Sequence, residues 1–161
     1  MLCEIIVISA LILELTASAP NRILYRDADR RKEMAEYLVR AESEYGVPAG
    51  LMAVWFFGES SLRKNSVGKL GEIGISQIHP VNWHRCRKNG SSLNNMRGQI
   101  RCGAMIMSES IKRCGSLKRG LYEYASGSCA GNPAARRLTH RRLKLWKKLI
   151  APRYHGNPCG G

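Results

Sequence analysis

Apolar residues recur at helical spacing over most of the chain, with charged residues between them. This pattern predicts four amphipathic helices, over residues 28–45, 96–113, 117–125 and 134–150. A fifth stretch, residues 51–60, is apolar nearly all round, so we expect a helix at the centre of the core. Glycine, serine and asparagine then accumulate up to residue 74, which predicts a loop with tight turns and room for one β-hairpin. A chain of 161 residues fits a single, mainly α-helical domain.

The first twenty residues carry a different apolar pattern. Residues 5–13 form an uninterrupted apolar run, and Ala17-Ser18-Ala19 matches the small-x-small cleavage pattern of signal peptides. We therefore expect residues 1–19 to be a removed signal peptide or an uncleaved signal anchor, and a buried N-terminal helix is the third alternative. The domain would then span residues 20–155 and a disordered tail residues 156–161. The expected location is exported: the periplasm, the cell envelope or the extracellular space.

The formal charge of +14 indicates anionic partners, which include nucleic acid, membrane surfaces and cell-wall polymers. Positive residues crowd the last predicted helix: Arg136, Arg137, Arg141, Arg142, Lys144, Lys147 and Lys148. This helix either packs on the domain with its charged face in solvent, or attaches the protein to an anionic wall polymer or membrane.

The cysteines agree with export. Four of them lie in the middle of the chain: Cys86, Cys102, Cys114 and Cys129. In an exported protein they predict two disulfides, with Cys114–Cys129 favoured because these residues flank one short helical segment. Cys159 would remain as an odd thiol. A zinc site built from these cysteines with His79 and His84 matches no tight zinc spacing, so we predict no metal and no cofactor.

Glu59 is the candidate for acid chemistry. It follows Trp55, Phe56 and Phe57 on the predicted core helix. Apolar surroundings disfavour the charged form of a carboxyl group, and a carboxylic acid that keeps its proton can donate it to a leaving oxygen. The alternative is an acid at a helix end that pairs with one of the many arginines. Carboxylates are scarce beyond this point, since only three follow: Glu72, Glu109 and Glu123.

Four collinear segments resemble the soluble lytic transglycosylase domain, which shares the lysozyme-like fold of goose-type lysozymes. The first two are GESSL at residues 58–62 and GEIGISQIHP at residues 71–80. They match a Glu-Ser pair, a loop and a Gly-x-x-Gly-Leu-Met-Gln segment, with 18 positions from Glu59 to Gln77. Ile100, Gly103 and Met107 resemble the family's next helix, and LYEYASG at residues 121–127 resembles its Ala-Tyr-Asn-Ala-Gly segment.

This resemblance implies cleavage of the β-1,4 bond between N-acetylmuramic acid and N-acetylglucosamine in peptidoglycan. Glu59 would act as the acid and then as the base, while the substrate's N-acetyl group stabilises the cation and a 1,6-anhydro product forms. Four further residues are expected at the substrate: Ser60, Gly74, Gln77 and Tyr124. For Gln77 and Tyr124 the alternatives are a loop-ordering glutamine and a core tyrosine, and for Ser60 a cap of backbone groups.

The resemblance also implies partners. These are peptidoglycan glycan strands and, for small members of the family, secretion, conjugation or phage machinery. No nucleic-acid partner is expected, because such a partner would explain the charge but not the pattern from Glu59 to Gln77.

Three positions depart from the family pattern. Gly68 stands where many members have a serine that contacts substrate, Ser76 replaces a methionine and Ala125 replaces an asparagine. None of these changes removes the acid. Two alternatives stay open: a hydrolytic muramidase that uses Glu72 as a second carboxylate, and a non-catalytic wall-binding or secretion-assembly protein with the same fold.

Overall fold

A computed structural model describes residues 1–20 and 22–155 of the chain. This part contains seven α-helices: α1 (Leu2–Thr16), α2 (Ala28–Tyr45), α3 (Leu51–Ser60), α4 (Trp83–Lys88), α5 (Met96–Cys114), α6 (Leu117–Ser126) and α7 (Pro133–His155). Short 3-10 turns lie at Arg22–Tyr25 and Pro80–Asn82. The predicted mainly α architecture is confirmed. The short helix α4 was not predicted, and the expected tail lies outside the described residues.

Helix α3 is the centre of the core, as its all-round apolar sequence predicts. Six consecutive residues from Leu51 to Phe56 are buried, and α1, α2 and α7 pack against the helix. Helix α5 packs between α2 and α6. This arrangement covers α3 on several sides and leaves its last turn, which carries Glu59, as the part that reaches the surface of the domain.

The start of α3 is held by a buried glutamate from α2. Both oxygens of the Glu42 carboxyl group accept backbone hydrogen bonds, from Gly50 N at 2.9 Å and from Met52 N at 2.9 Å. These N–H groups have no partner within their own helix, so Glu42 satisfies donors that the first turn leaves open. Burial raises the pKa of Glu42 to about 8, and the two hydrogen bonds oppose that shift.

Residues 2–16, inside the predicted leader, form the core-packed helix α1. Ile8, Leu11 and Ile12 are completely buried, and the helix packs against α2 and α3. Cys3 at its start is disulfide-bonded. This arrangement corresponds to the buried-helix alternative, whereas removal of residues 1–19 stays a prediction. Among the described helices, none combines the length and the apolarity that crossing a membrane requires.

Two disulfides join the elements around the cleft. Cys86–Cys102 links α4 to α5, and Cys114–Cys129 links the end of α5 to the turn after α6. The favoured Cys114–Cys129 pairing is confirmed, and Cys159 lies outside the described residues. Within the described part, the one cluster of three potential metal ligands consists of Cys114, Glu123 and Cys129, whose two sulfurs are bonded to each other and offer no thiolate.

The loop after α3 contains bridges rather than a hairpin. Ile73 forms isolated antiparallel bridges with Val67 and with Ile78, and the described residues contain no strand. This agrees with the prediction of at most a small hairpin. The predicted tight turns include Gly71 and Gly74, whose φ values are 85° and 76°.

Candidate active site

Glu59 lies in the last turn of α3 and opens into a cleft. Its side chain is 22% exposed, and the cleft has a volume of about 750 Å³. The loop after α3, helices α4 to α6 and Leu138 of α7 line the cleft around it. The lining residues include Gly68, Glu72, Gln77, His79, Arg85, Arg113, Glu123 and Tyr124. The structure thus brings Glu59 together with two of the four predicted substrate residues, Gln77 and Tyr124.

A buried arginine from α7 contacts Glu59. Arg142 Nη1 donates a hydrogen bond to Glu59 Oε1 at 2.5 Å, and the arginine side chain is only 10% exposed. The guanidinium also lies over the ring of Trp55, with its carbon 4.7 Å from the ring centroid. Glu59 therefore has the arginine partner that the sequence left as an alternative, and it also faces the cleft that acid chemistry requires.

Ser60 lies beneath the loop rather than in the cleft. Its hydroxyl donates to Ile75 O at 2.7 Å and accepts from Arg63 N at 3.2 Å, and the residue is 3% exposed. These bonds fasten the loop to the end of α3. The contacts are those of the alternative in which the serine satisfies backbone groups.

Gly74 is packed against a buried glutamine of α5. A Cβ at this position would lie 2.2 Å from the amide carbon of Gln99, and the φ of 76° also favours glycine. Gln99 accepts from Ile75 N at 3.0 Å and donates to Lys64 O and Leu93 O. Gly74 thus lets Gln99 enter and hold the loop from inside, and neither residue lines the cleft.

Gln77 lines the cleft and at the same time orders the loop. Its Nε2 donates to Gly74 O at 2.9 Å and more weakly to Ser66 O at 3.4 Å. Its backbone has a φ of 48°, a conformation that residues other than glycine rarely adopt. The bonds of Gln77 therefore go to the loop, while one side of the residue remains accessible from the cleft.

The missing side chain at Gly68, one of the three departures from the family pattern, leaves space that the Glu72 side chain occupies. A Cβ at Gly68 would lie 2.3 Å from Glu72 Oε2 and 2.8 Å from Gln77 Oε1. The Glu72 carboxylate also accepts from Leu70 N at 2.9 Å. A serine at position 68 would therefore require the Glu72 carboxylate to move, so the glycine at 68 and the glutamate at 72 are physically coupled.

Tyr124 spans the cleft wall from α6 to the loop. Its hydroxyl donates to Ser76 O at 2.9 Å, and its ring meets Trp55 edge-on with the centroids 6.2 Å apart. Burial raises the pKa of Tyr124 far above its ordinary value, and the negative charge of Glu59 adds to that shift. The Tyr124 side chain therefore carries a neutral hydroxyl group, and it lies close enough to Glu59 for the two groups to interact electrostatically.

The basic last helix divides into two faces. Six of the seven predicted surface cations are exposed, and the exception is Arg142. The prediction that these cations share a solvent-exposed face is therefore wrong for Arg142. This residue lies seven positions after Ala135, three after Thr139 and seven before Leu149, and all three of those residues are buried. These spacings belong to one helix face, so Arg142 turns inward to Glu59 while its neighbours in sequence point to solvent.

With this geometry in place, comparison with known protein families is decisive. A family model described as the transglycosylase SLT domain matches residues 36–145. The chain belongs to the transglycosylase SLT domain family. The match contains Glu59, Gln77, Tyr124 and Arg142, and the helical architecture is the lysozyme-like fold of the SLT domain. No curated protein and no solved structure matches the chain.

Membership of the SLT family brings coarse functional information. Its members cleave glycans and act on the peptidoglycan of the cell wall. Sequence reasoning placed Glu59 and the loop correctly within this domain, but it did not identify the interior contacts of Arg142 and Gln99. The seven-residue spacings around Arg142 were a usable signal, whereas nothing near Gln99 marks its loop contacts.

Proposed function

We propose that this protein is a peptidoglycan lytic transglycosylase with Glu59 as its catalytic acid and base. The observation that carries the proposal is the Glu59 carboxyl group, which opens into a cleft at the end of the core helix within the segment matched by the family model. Acid–base catalysis requires a carboxyl group that substrate can reach.

In the first step Glu59, protonated, donates its proton to the glycosidic oxygen, and the bond from that oxygen to muramic acid C1 breaks. The carbonyl oxygen of the substrate's N-acetyl group bonds to C1 and carries the positive charge. In the second step the Glu59 carboxylate takes the proton of the 6-hydroxyl, whose oxygen displaces the acetamido oxygen from C1. The 1,6-anhydro product leaves, and Glu59 again holds one proton.

Neither of the other carboxylates in the cleft wall matches the environment of Glu59. Glu59 pairs with a buried arginine, whereas Glu123 pairs at 2.9 Å with Arg113, which is 55% exposed and lowers the pKa of Glu123. Glu72 is bonded to the backbone of its own loop. A hydrolase with two carboxylates would need one of them as its second acid. We therefore assign the reaction to Glu59 alone.

Digestion of purified sacculi with mass analysis of the products tests this assignment. We expect anhydro-muropeptides from the wild type and from Glu72→Gln, and none from Glu59→Gln. Reducing muropeptides from the wild type, lost in Glu72→Gln, would establish the hydrolytic alternative instead. Binding of sacculi without any released product would establish the non-catalytic alternative.

We further propose that the protein is exported and works on the wall as a local opener, for secretion, conjugation or phage machinery. The six exposed cations between Arg136 and Lys148 would contact anionic wall or membrane groups, and salt would weaken that contact. Retention on sacculi that falls as salt is raised from roughly 50 to 500 mM supports this role, because salt screens contacts between exposed charges over that range.

Whether α1 is retained or removed on export is tested by locating the N-terminus of the exported protein. A cut after Ala19 would remove the buried Ile8, Leu11 and Ile12 from the core. Intact mass and N-terminal sequencing distinguish a cleaved leader from a retained helix, and full retention would overturn the predicted cleavage.

A further inference from the structure

We propose that Arg142 is the positioning residue of the catalytic acid. From α7 it holds one carboxylate oxygen of Glu59, so that the other oxygen is presented to the cleft for proton exchange with the substrate. This inference rests on the proposed function, because that function assigns the proton transfers to Glu59.

The hydrogen bonds divide the two oxygens of Glu59. Arg142 Nη1 donates to Oε1 at 2.5 Å, and no hydrogen bond from the described residues reaches Oε2. Charge-assisted bonds of this kind are short and strong, so Oε1 is held firmly. Arg142 itself does not line the cleft, and it therefore approaches Glu59 from the protein side, where substrate does not reach.

The guanidinium is itself held by α3. It lies 4.7 Å over the Trp55 ring, and Trp55 is completely buried one turn before Glu59. Residues four apart on a helix share a face, so the ring and the carboxylate form a two-point seat for one side chain. A cation over an indole ring is stabilised most when both are shielded from water, as they are here.

Gly58 leaves the space that Arg142 occupies. A Cβ at this position would lie 2.5 Å from Arg142 Nε and 2.7 Å from the guanidinium carbon. A helix interior normally disfavours glycine, so its presence next to Glu59 has no helical advantage. The glycine, the tryptophan and the glutamate of α3 together form the seat for the α7 arginine.

This arrangement suits both proton transfers. Oε1 stays bonded to Arg142 in each step, so Oε2 can give up and regain the proton without rotation of the carboxyl group. The fixed cation also stabilises the carboxylate that exists between the two steps, and it does so without reorganisation during the reaction. A misplaced acid loses rate steeply, by about 100-fold for an error near 1 Å.

Steady-state kinetics on soluble peptidoglycan glycan chains tests the inference through the split between kcat and KM. We expect Arg142→Met to lower kcat by about 100-fold with KM nearly unchanged, and Arg142→Lys to recover part of that loss. Gly58→Ala should lower kcat while the protein stays folded, because it displaces the guanidinium and leaves every other contact in place. In the Arg142→Met background Gly58→Ala should have no further effect.

Arg101→Met is the matched control. Arg101 also pairs with a glutamate, Glu44 at 2.6 Å, and also lies over a ring, that of Tyr45, but neither Arg101 nor Glu44 lines the cleft. A purely structural arginine would make the Arg142 and Arg101 variants alike, with lower melting temperatures and unchanged kcat, and that outcome would overturn the inference.

A wild type that releases no anhydro product would refute the proposed function by itself. The contact between Glu59 and Arg142 is then tested by a double-mutant cycle, in which the free energy of unfolding is measured for Glu59→Gln, for Arg142→Met and for the double variant. Additive effects of the two substitutions would refute the positioning contact independently of activity.

Discussion

The two ends of α3 each depend on a glutamate, and the two glutamates are held in opposite ways. Glu42 at the start is buried and accepts hydrogen bonds from two neutral backbone N–H groups. Glu59 at the end is partly exposed and is bonded to a charged guanidinium. The first is 4% exposed and borders only a small pocket of about 240 Å³, whereas the second opens into a cleft of about 750 Å³. Access to solvent, rather than burial alone, separates the structural carboxyl group from the chemical one.

Substitution of Glu59 should give the largest effect, a loss of activity without a loss of folding, and it tests the chemical role of this end of α3. Glu59→Gln keeps the size of the side chain but cannot transfer a proton, so we expect kcat on glycan chains to fall by about 10²–10⁴-fold. Circular dichroism should still show a folded protein. Activity within a few-fold of the wild type would assign the chemistry to another residue.

Substitution of Glu42 should act on stability instead. In Glu42→Gln the amide can accept only one of the two backbone hydrogen bonds and turns a donor towards the other, so we expect a loss of about 1–3 kcal/mol in the free energy of unfolding. Below the transition temperature kcat should match the wild type. A fall in kcat as deep as that of Glu59→Gln would show that the two ends are not separable.

The pH dependence of stability sharpens the same contrast. Because burial raises the pKa of Glu42 to about 8, the folded protein keeps a proton that the unfolded chain releases above its ordinary pKa of about 4.3. The contribution of Glu42 is therefore full at low pH and is lost as pH rises towards 8. Urea unfolding should show wild-type stability falling from about pH 5 to 8, with a smaller fall in Glu42→Gln.

Glu44→Gln provides the control for this slope. The hydrogen bond from Arg101 lowers the pKa of Glu44, so this group is ionised in both folded and unfolded states between pH 5 and 8. Its substitution should leave the slope unchanged. A wild-type slope that persists fully in Glu42→Gln would assign the pH dependence to another group.

Tyr124→Phe should give the smallest effect. The change removes the hydrogen bond to Ser76 O and leaves that carbonyl without this donor, which costs about 1 kcal/mol in stability. Glu59 and Arg142 keep their contact, so kcat should fall far less than in Glu59→Gln. A loss of kcat as large as that of Glu59→Gln would place the hydroxyl in the reaction itself.

Local pattern by itself determined much of this protein. The helical spacing of apolar residues located α2, α3, α5, α6 and α7, because helix boundaries depend on nearby residues, as the stop at Gly46 illustrates. The motif from Glu59 to Gln77 identified the family and the candidate acid. The four central cysteines predicted their two disulfides, since few pairings were available.

Only the tertiary structure decided what surrounds the acid. Arg142 is 83 positions from Glu59, and Gln99 holds Ile75 from 24 positions away. Such contacts depend on how helices pack, and the charge pattern of α7 made Arg142 look like one surface cation among seven. The same limit applies to the N-terminal segment, because an apolar run of this length is compatible with both a leader and a core helix. Which face of a helix is buried depends on the elements that cover it, so the spacing of Arg142 from Ala135 and Leu149 acquires its meaning only once the packing of α7 is known.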